Sequence, residues 1–234
     1  MFRPIFDRWV SELPVEHAAK VYAQRGYGKN MGFGKSPAVL VIDMQYAFVD
    51  PDSPSRVLPQ ILEIIPPIQR LLQSARNFGL PIFFTRGVVS KDRITEGLWR
   101  FKTKGHQLGV VQVEGTRSAE IIDELKPEPG EHVIVKRRPS AFFQTDLELF
   151  LRGYGVDTLL ITGSSVSGCV RATVTDAFMR DIRPMVIREC VADRSPDVFE
   201  NNLFDMQAKY ADIVALEEVL RYLESVEVGS QVTS

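Results

Sequence analysis

Three side chains of complementary chemistry each follow a short apolar run in this sequence. Asp43 closes Ala38-Val39-Leu40-Val41-Ile42, and Lys136 closes Val133-Ile134-Val135. Cys169 lies in Gly163-Ser164-Ser165-Val166-Ser167-Gly168-Cys169-Val170, directly after Thr158-Leu159-Leu160-Ile161-Thr162. A carboxylate beside a thiol can take its proton, and an ammonium beside both stabilises the thiolate and then the charged intermediate. Such a set supports attack on an amide carbonyl through a thioester acyl- or carbamoyl-enzyme, with release of ammonia and no need of a histidine. The residues after the cysteine, 171–180, have helical character, so Cys169 is expected at a strand-to-helix turn. Unpaired backbone N–H groups and the positive end of a helix dipole lower a thiol pKa there. The N–H groups of Ser165 and Cys169 are placed to hold an oxyanion. Each residue also has a plainer reading: a small buried cysteine, an aspartate capping a turn, and a surface basic cluster at residues 136–138.

The elements that must bring these residues together alternate in type. Strands are expected at 38–43, 81–85, 132–136, 158–162, 184–191 and 213–216. Helices are expected at 58–78, kinked or split by Pro66-Pro67, and at 118–125, 147–154, 171–180, 197–210 and 217–225. Short, continuously apolar strands separated by helices predict an α/β fold with a parallel sheet covered on both faces. Right-handed crossovers then put every strand's carboxyl end on one edge, where open α/β sheets hold their sites. Asp43, Lys136 and Cys169 all fall on that edge. Residues 37–225 make one domain. Residues 1–36, with an amphipathic segment at 10–22 and a glycine-rich loop at 26–34, read as an arm lying on the domain or on a neighbouring subunit. Residues 226–234 read as a tail. The long irregular stretch 86–115, with Trp99, Phe101 and His106, is expected to carry function or subunit contacts. Phe48, Trp99 and Phe142 are expected to line the substrate pocket.

Composition narrows the classes. The 234 residues are 44% hydrophobic and 25% charged, with a net charge of −2, which fits a globular domain and offers no basis for nucleic-acid binding. No apolar run reaches transmembrane length, and Met1-Phe2-Arg3-Pro4-Ile5-Phe6-Asp7-Arg8-Trp9 interleaves charge with apolar residues unlike a signal peptide. Two cysteines make no disulfide framework, and a reducing, cytoplasmic setting is expected. His17, His106 and His132 show no Cys-His protease pattern. No His, Cys and Asp spacing suits a metal, so neither a metal nor a cofactor is expected. Dinucleotide, P-loop and nucleophile-elbow motifs are absent.

Asp43 with Met44-Gln45, Lys136-Arg137-Arg138-Pro139-Ser140-Ala141-Phe142 and the 163–170 turn, in this order, resemble the isochorismatase-like cysteine hydrolase superfamily over about residues 37–225. Ser167-Gly168-Cys169-Val170-Arg171-Ala172-Thr173, the 27–34 stretch and the 202–212 stretch look most like its N-carbamoylsarcosine amidohydrolase branch. The resemblance implies a three-layer αβα fold with a six-stranded parallel sheet of Rossmann-like order. It implies Asp43 as base, Lys136 as its cationic partner, Cys169 as nucleophile, and a cis peptide at Ser164–Ser165. It also implies a dimer or tetramer, and Arg194 holding a substrate carboxylate, a fit for a planar guanidinium; a surface salt bridge is the plainer reading of Arg194. The expected reaction is cleavage of a terminal carbamoyl or amide C–N bond of a small anionic molecule, with N-carbamoylsarcosine or a related N-carbamoyl amino acid first. Maleamate, ureidoacrylate or biuret on the same three residues, isochorismatase-type vinyl-ether hydrolysis, and a non-catalytic binding protein are the alternatives. Two departures stand out: Val166 replaces a threonine common in relatives, and Thr85-Arg86-Gly87-Val88-Val89 lacks the metal-binding histidine of nicotinamidases.

Overall fold

A computed structural model describes residues 15–50, 60–102 and 112–225. The expected tail, the first 14 residues of the arm, His106, residues 51–54 and the first two residues of the 58–78 segment lie outside the described residues. Six strands form one sheet: β1 (Pro37–Ile42), β2 (Ile82–Gly87), β3 (His132–Lys136), β4 (Thr158–Ser164), β5 (Arg183–Ala192) and β6 (Asp212–Val214). Their spatial order is β3-β2-β1-β4-β5-β6, and all neighbours are parallel. β1 lies at the centre and every one of its residues is buried, which is why its sequence does not alternate.

Helices cover both faces. We number them α1 (Val15–Gln24), α2 (Tyr46–Val49), α3 (Ile65–Asn77), α4 (Trp99–Lys102), α5 (Leu147–Gly153), α6 (Arg171–Phe178), α7 (Pro196–Lys209) and α8 (Leu216–Ser225). On one face α3 packs Ile65, Ile68, Leu71, Leu72 and Ala75, and α8 packs Leu216, Val219 and Leu223, against Val39, Val41 and Phe84. On the other, α5, α6 and α7 bury Leu147, Leu151, Val174, Ala177, Leu203 and Met206 against Leu40, Ile42 and Ile161. The two layers around one sheet are the expected αβα sandwich. No described helix is long and apolar enough to cross a membrane.

Two expected elements differ. The helix drawn through Pro66-Pro67 is neither kinked nor split: it begins at Ile65, so the prolines fall in its first turn, where a missing N–H breaks no bond. The expected helix at 118–125 is two short 3-10 turns, Arg117–Ala119 and Asp123–Leu125. Between them Ile121 bridges to Gln45, which takes the backbone out of helical pairing. Of the two places expected for the arm, its described part takes the domain of its own chain. Gly28 N–H bonds to the Ala208 carbonyl, Met31 and Gly32 N–H bond to the Asp212 carboxylate, and Lys35 and Ser36 N–H bond to that of Asp157. Phe33 stacks on Tyr222 with ring centres 4.2 Å apart.

Candidate active site

The parallel sheet delivers three strand ends to one place. Asp43 follows β1 with a φ of 51°, a left-handed conformation that ends the strand and that aspartate tolerates better than most residues. The residue is 2% exposed. One carboxylate oxygen accepts the Thr85 hydroxyl at 2.7 Å, and the other lies 2.7 Å from the Lys136 ammonium. Lys136, the last residue of β3, is 3% exposed. Its Nζ donates also to Cys169 Sγ at 3.2 Å and to the Arg138 carbonyl at 3.3 Å, so its three N–H groups have three partners. Asp43, Lys136 and Cys169 therefore form one contiguous cluster, its acid and amine buried and its cysteine partly exposed.

Electrostatics divides the cluster into an ion pair and a neutral thiol. Burial alone would lower the Lys136 pKa, but the Asp43 carboxylate and the Cys169 sulfur beside it together more than offset this and hold the lysine above its ordinary value. Burial pushes the Cys169 thiol up to about 12; Lys136 pulls it down, and Asp43, close enough to hydrogen-bond the sulfur, pushes it further up. The sequence expectation of a thiolate favoured by a helix terminus is thus corrected. Desolvation of Cys169 outweighs the cation beside it, so loss of the thiol proton calls for a base. The carboxylate of Asp43 stands where that base is needed.

Cys169 sits in a π-helical turn, Val166–Val170, that leads into α6, and the preceding Ser164–Ser165 peptide is cis. Ser165 is part-exposed and Ser164 is buried, its hydroxyl without a partner among the described residues. Arg194 follows β5 and its Nη1 reaches the Ser165 hydroxyl at 3.3 Å, so it faces the turn and not a surface acid. The aromatic residues expected in the pocket are not gathered equally. Phe142 shares the buried cluster around Cys169, with Arg180 stacked 4.8 Å over its ring. Phe48 packs against the cluster on the opposite face of the sheet. Trp99, on α4, is 47% exposed. A groove of about 540 Å³ lined by Tyr46, Arg86, Glu120 and Val133 contains none of the three clustered residues.

Sequence reasoning missed four supporting residues. Thr85 orients Asp43. Gln45, fully buried, pins Gly87 and Ala119 through its amide. Thr173 donates to the Cys169 carbonyl at 2.7 Å and accepts the Ala141 N–H at 3.0 Å, joining the cysteine turn to the loop after Lys136. Asp193 accepts the Ser167 N–H at 2.5 Å and the Arg194 N–H at 2.7 Å. Asp193 alone carried a readable signal, the one used for Asp43: an acid closing an apolar run, here Cys190-Val191-Ala192.

Comparison with known proteins agrees with this architecture. An N-carbamoylsarcosine amidase of an Arthrobacter species is 37% identical over 222 residues, covering 93% of this chain and 82% of that protein. A maleamate amidohydrolase of Pseudomonas putida is 35% identical over 198 residues, covering 84% and 91%. The crystal structure of an isochorismatase family protein from Desulfovibrio vulgaris superposes with a TM-score of 0.75 at 34% identity, covering 82% of this chain and all of that one. The isochorismatase domain model matches residues 37–218, and with these relatives it establishes that the chain is a hydrolase of the isochorismatase family.

Proposed function

We propose that the protein is a cysteine amidohydrolase that cleaves the terminal carbamoyl or amide C–N bond of a small carboxylate-bearing molecule, with N-carbamoylsarcosine or a related N-carbamoyl amino acid as the first candidate. The observation that carries this reading is the contact set of Lys136 Nζ, 2.7 Å from Asp43 and 3.2 Å from Cys169 Sγ, around a thiol that burial keeps protonated. Asp43 takes the thiol proton as Sγ attacks the carbonyl carbon, and Lys136 stabilises the developing negative charge. The tetrahedral oxyanion is held by the N–H groups of Cys169 and Ser165. Its collapse breaks the C–N bond, and Asp43 returns the proton to the departing nitrogen, which leaves as ammonia. Water, deprotonated by Asp43, then attacks the thioester and restores the thiol. Arg194, anchored on the Ser165 hydroxyl, is the group suited to pair with the substrate carboxylate. Maleamate carries the same pairing of amide and carboxylate, and is the named substrate of the 35% identical relative.

Ammonia release from N-carbamoyl amino acids, maleamate, ureidoacrylate, biuret and nicotinamide, with Cys169→Ser as control, tests the reading. Release from one compound, lost by at least about 10³-fold in the variant, is the expected result. Substantial turnover by Cys169→Ser would sink the mechanism. Release from biuret or nicotinamide alone, which carry no carboxylate, would remove Arg194 from the proposal.

A further inference from the structure

The turn that carries Cys169 departs from a regular helix at one bond. In an α-helix each carbonyl accepts the N–H four residues on, so the Ser165 carbonyl would take the N–H of Cys169. It accepts instead from Gly168 at 3.0 Å and Val170 at 3.2 Å, three and five residues on. Cys169 is passed over. The α-helical pairing is the ordinary form and single π turns are rare, so a support outside the turn is required.

Asp193 provides it. The side chain is 2% exposed, and both of its oxygens bond to backbone N–H groups, those of Ser167 and Arg194. A buried carboxylate without a cation is costly, and a neutral acceptor would serve a single donor with no charge to desolvate. The placement is specific to β5. Opposite β4 its register jumps from Ile161↔Val186 to Gly163↔Val191. This bulge sets Val191 and Ala192 beside Gly163 and Ser164 and carries Asp193 to the turn. Gly168 leaves the room: a Cβ there would meet the Ser165 hydroxyl oxygen at 2.8 Å.

We infer that Asp193 is a positioning residue: by holding the Ser167 N–H it keeps residues 165–170 in the π form, in which the Ser165 carbonyl does not take the Cys169 N–H and that N–H can bind the oxyanion. The oxyanion half of the inference rests on the amide hydrolysis proposed above; the conformational half does not. Asp193→Asn offers one acceptor oxygen to two N–H groups, and Asp193→Ala offers none. They are expected to lower kcat about 10-fold and about 100-fold, with KM within about threefold. Alkylation of Cys169 by iodoacetamide should stay within about twofold, since displacement at a saturated carbon needs the thiolate but develops no oxyanion. Wild-type kcat in both variants overturns the inference. So does a parallel fall in kcat and alkylation, which would mean that the whole turn has collapsed.

A second readout needs no turnover. The chain has two cysteines, so isotope labelling of cysteine gives two backbone amide signals. The Cys169 amide is expected to exchange with solvent at least about tenfold more slowly in Asp193→Ala, where the bond to Ser165 re-forms. Unchanged exchange overturns the conformational half. If the unaltered protein releases ammonia from none of the compounds above, the amidohydrolase reading fails, while the exchange rates still decide whether Asp193 holds the turn.

Discussion

Asp193 and Asp212 are the same residue in nearly the same circumstances at opposite edges of one sheet. Each is 2% exposed. Each gives its two oxygens to two backbone N–H groups, Ser167 and Arg194 for the first, Met31 and Gly32 for the second. Asp212 opens β6 at the amino-terminal edge and straps the arm to the domain. Asp193 follows β5 at the carboxyl-terminal edge and grips the turn that carries Cys169. A buried carboxylate bound to main-chain donors is therefore not in itself a mark of chemistry. What separates the two edges is the company. At one, carboxylates meet main-chain N–H groups, joined at Asp157 by one hydroxyl and one arginine. At the other, an ion pair and a thiol lie within hydrogen-bond reach of one another.

The largest contrast should come from breaking the ion pair. Lys136→Met is expected to lower kcat/KM by about 10³-fold or more. It should also cost about 3–5 kcal/mol in urea unfolding, because Asp43 is left buried without its cation. Asp43→Asn combined with Lys136→Met should recover much of the stability and none of the activity. A double variant as unstable as the single one would refute the claim that the pair is kept for its chemistry. Next in size is Gly163→Ala. Gly163 has a φ of 100°, and a Cβ would lie 2.0 Å from the Ile42 carbonyl oxygen, inside the β1–β4 ladder. A loss above about 3 kcal/mol is expected, read as a lowered urea midpoint or as failure to fold; a variant of wild-type stability would show that the ladder can part there. Smaller again is Asp212→Asn, which leaves one arm N–H without an acceptor. It should cost about 1–2 kcal/mol and leave kcat unchanged, the reverse of Asp193→Asn. Equal losses of kcat from both would erase the distinction between the edges.

How much of this was legible follows from what each residue depends on. Continuous apolar runs identify parallel strands buried on both faces, so β1 and β4, and with them Asp43 and Cys169, were placed within a residue or two. Lys136 was readable for the same reason: its position at a strand end is local information. The prolines at 66 and 67 were misjudged because a first-turn proline and a kinking one differ only in where the helix starts, which the apolar stripe does not mark. Only one of the influences on the Cys169 thiol was legible, because helix-end geometry is local while desolvation, which pushes its pKa up, is a property of the assembled layers. Asp193 acquired its partner only through the β5 bulge, a difference in length between two paired strands that neither strand reveals alone. Thr173 was invisible for a similar reason: a threonine inside a helix usually bonds its own i−4 carbonyl, and only the fold brings the Ala141 N–H to it.

The smallest predicted effect sits at the quieter edge and depends on pH. Asp157 precedes β4 and is part-exposed. Burial opposes its charge, but the N–H groups of Lys35 and Ser36, the Thr158 hydroxyl and Arg183 favour the charge by more, and its pKa is lowered from 3.8. A carboxyl whose pKa is lower in the folded than in the unfolded chain contributes stability that is fully present above the unfolded value. That stability is lost as the pH falls through the folded value. Urea midpoints of the wild type and of Asp157→Asn should therefore differ most near neutrality and converge as the medium is acidified below the ordinary carboxylate range. The pH profile of turnover, governed at the opposite edge, should be the same in both. A gap in midpoint that stayed constant through acid would mean that the arm is held by Asp157 as a shape and not as a charge. A shifted activity profile would mean that the two edges are coupled through β4, which runs from Asp157 at one end to the cysteine turn at the other.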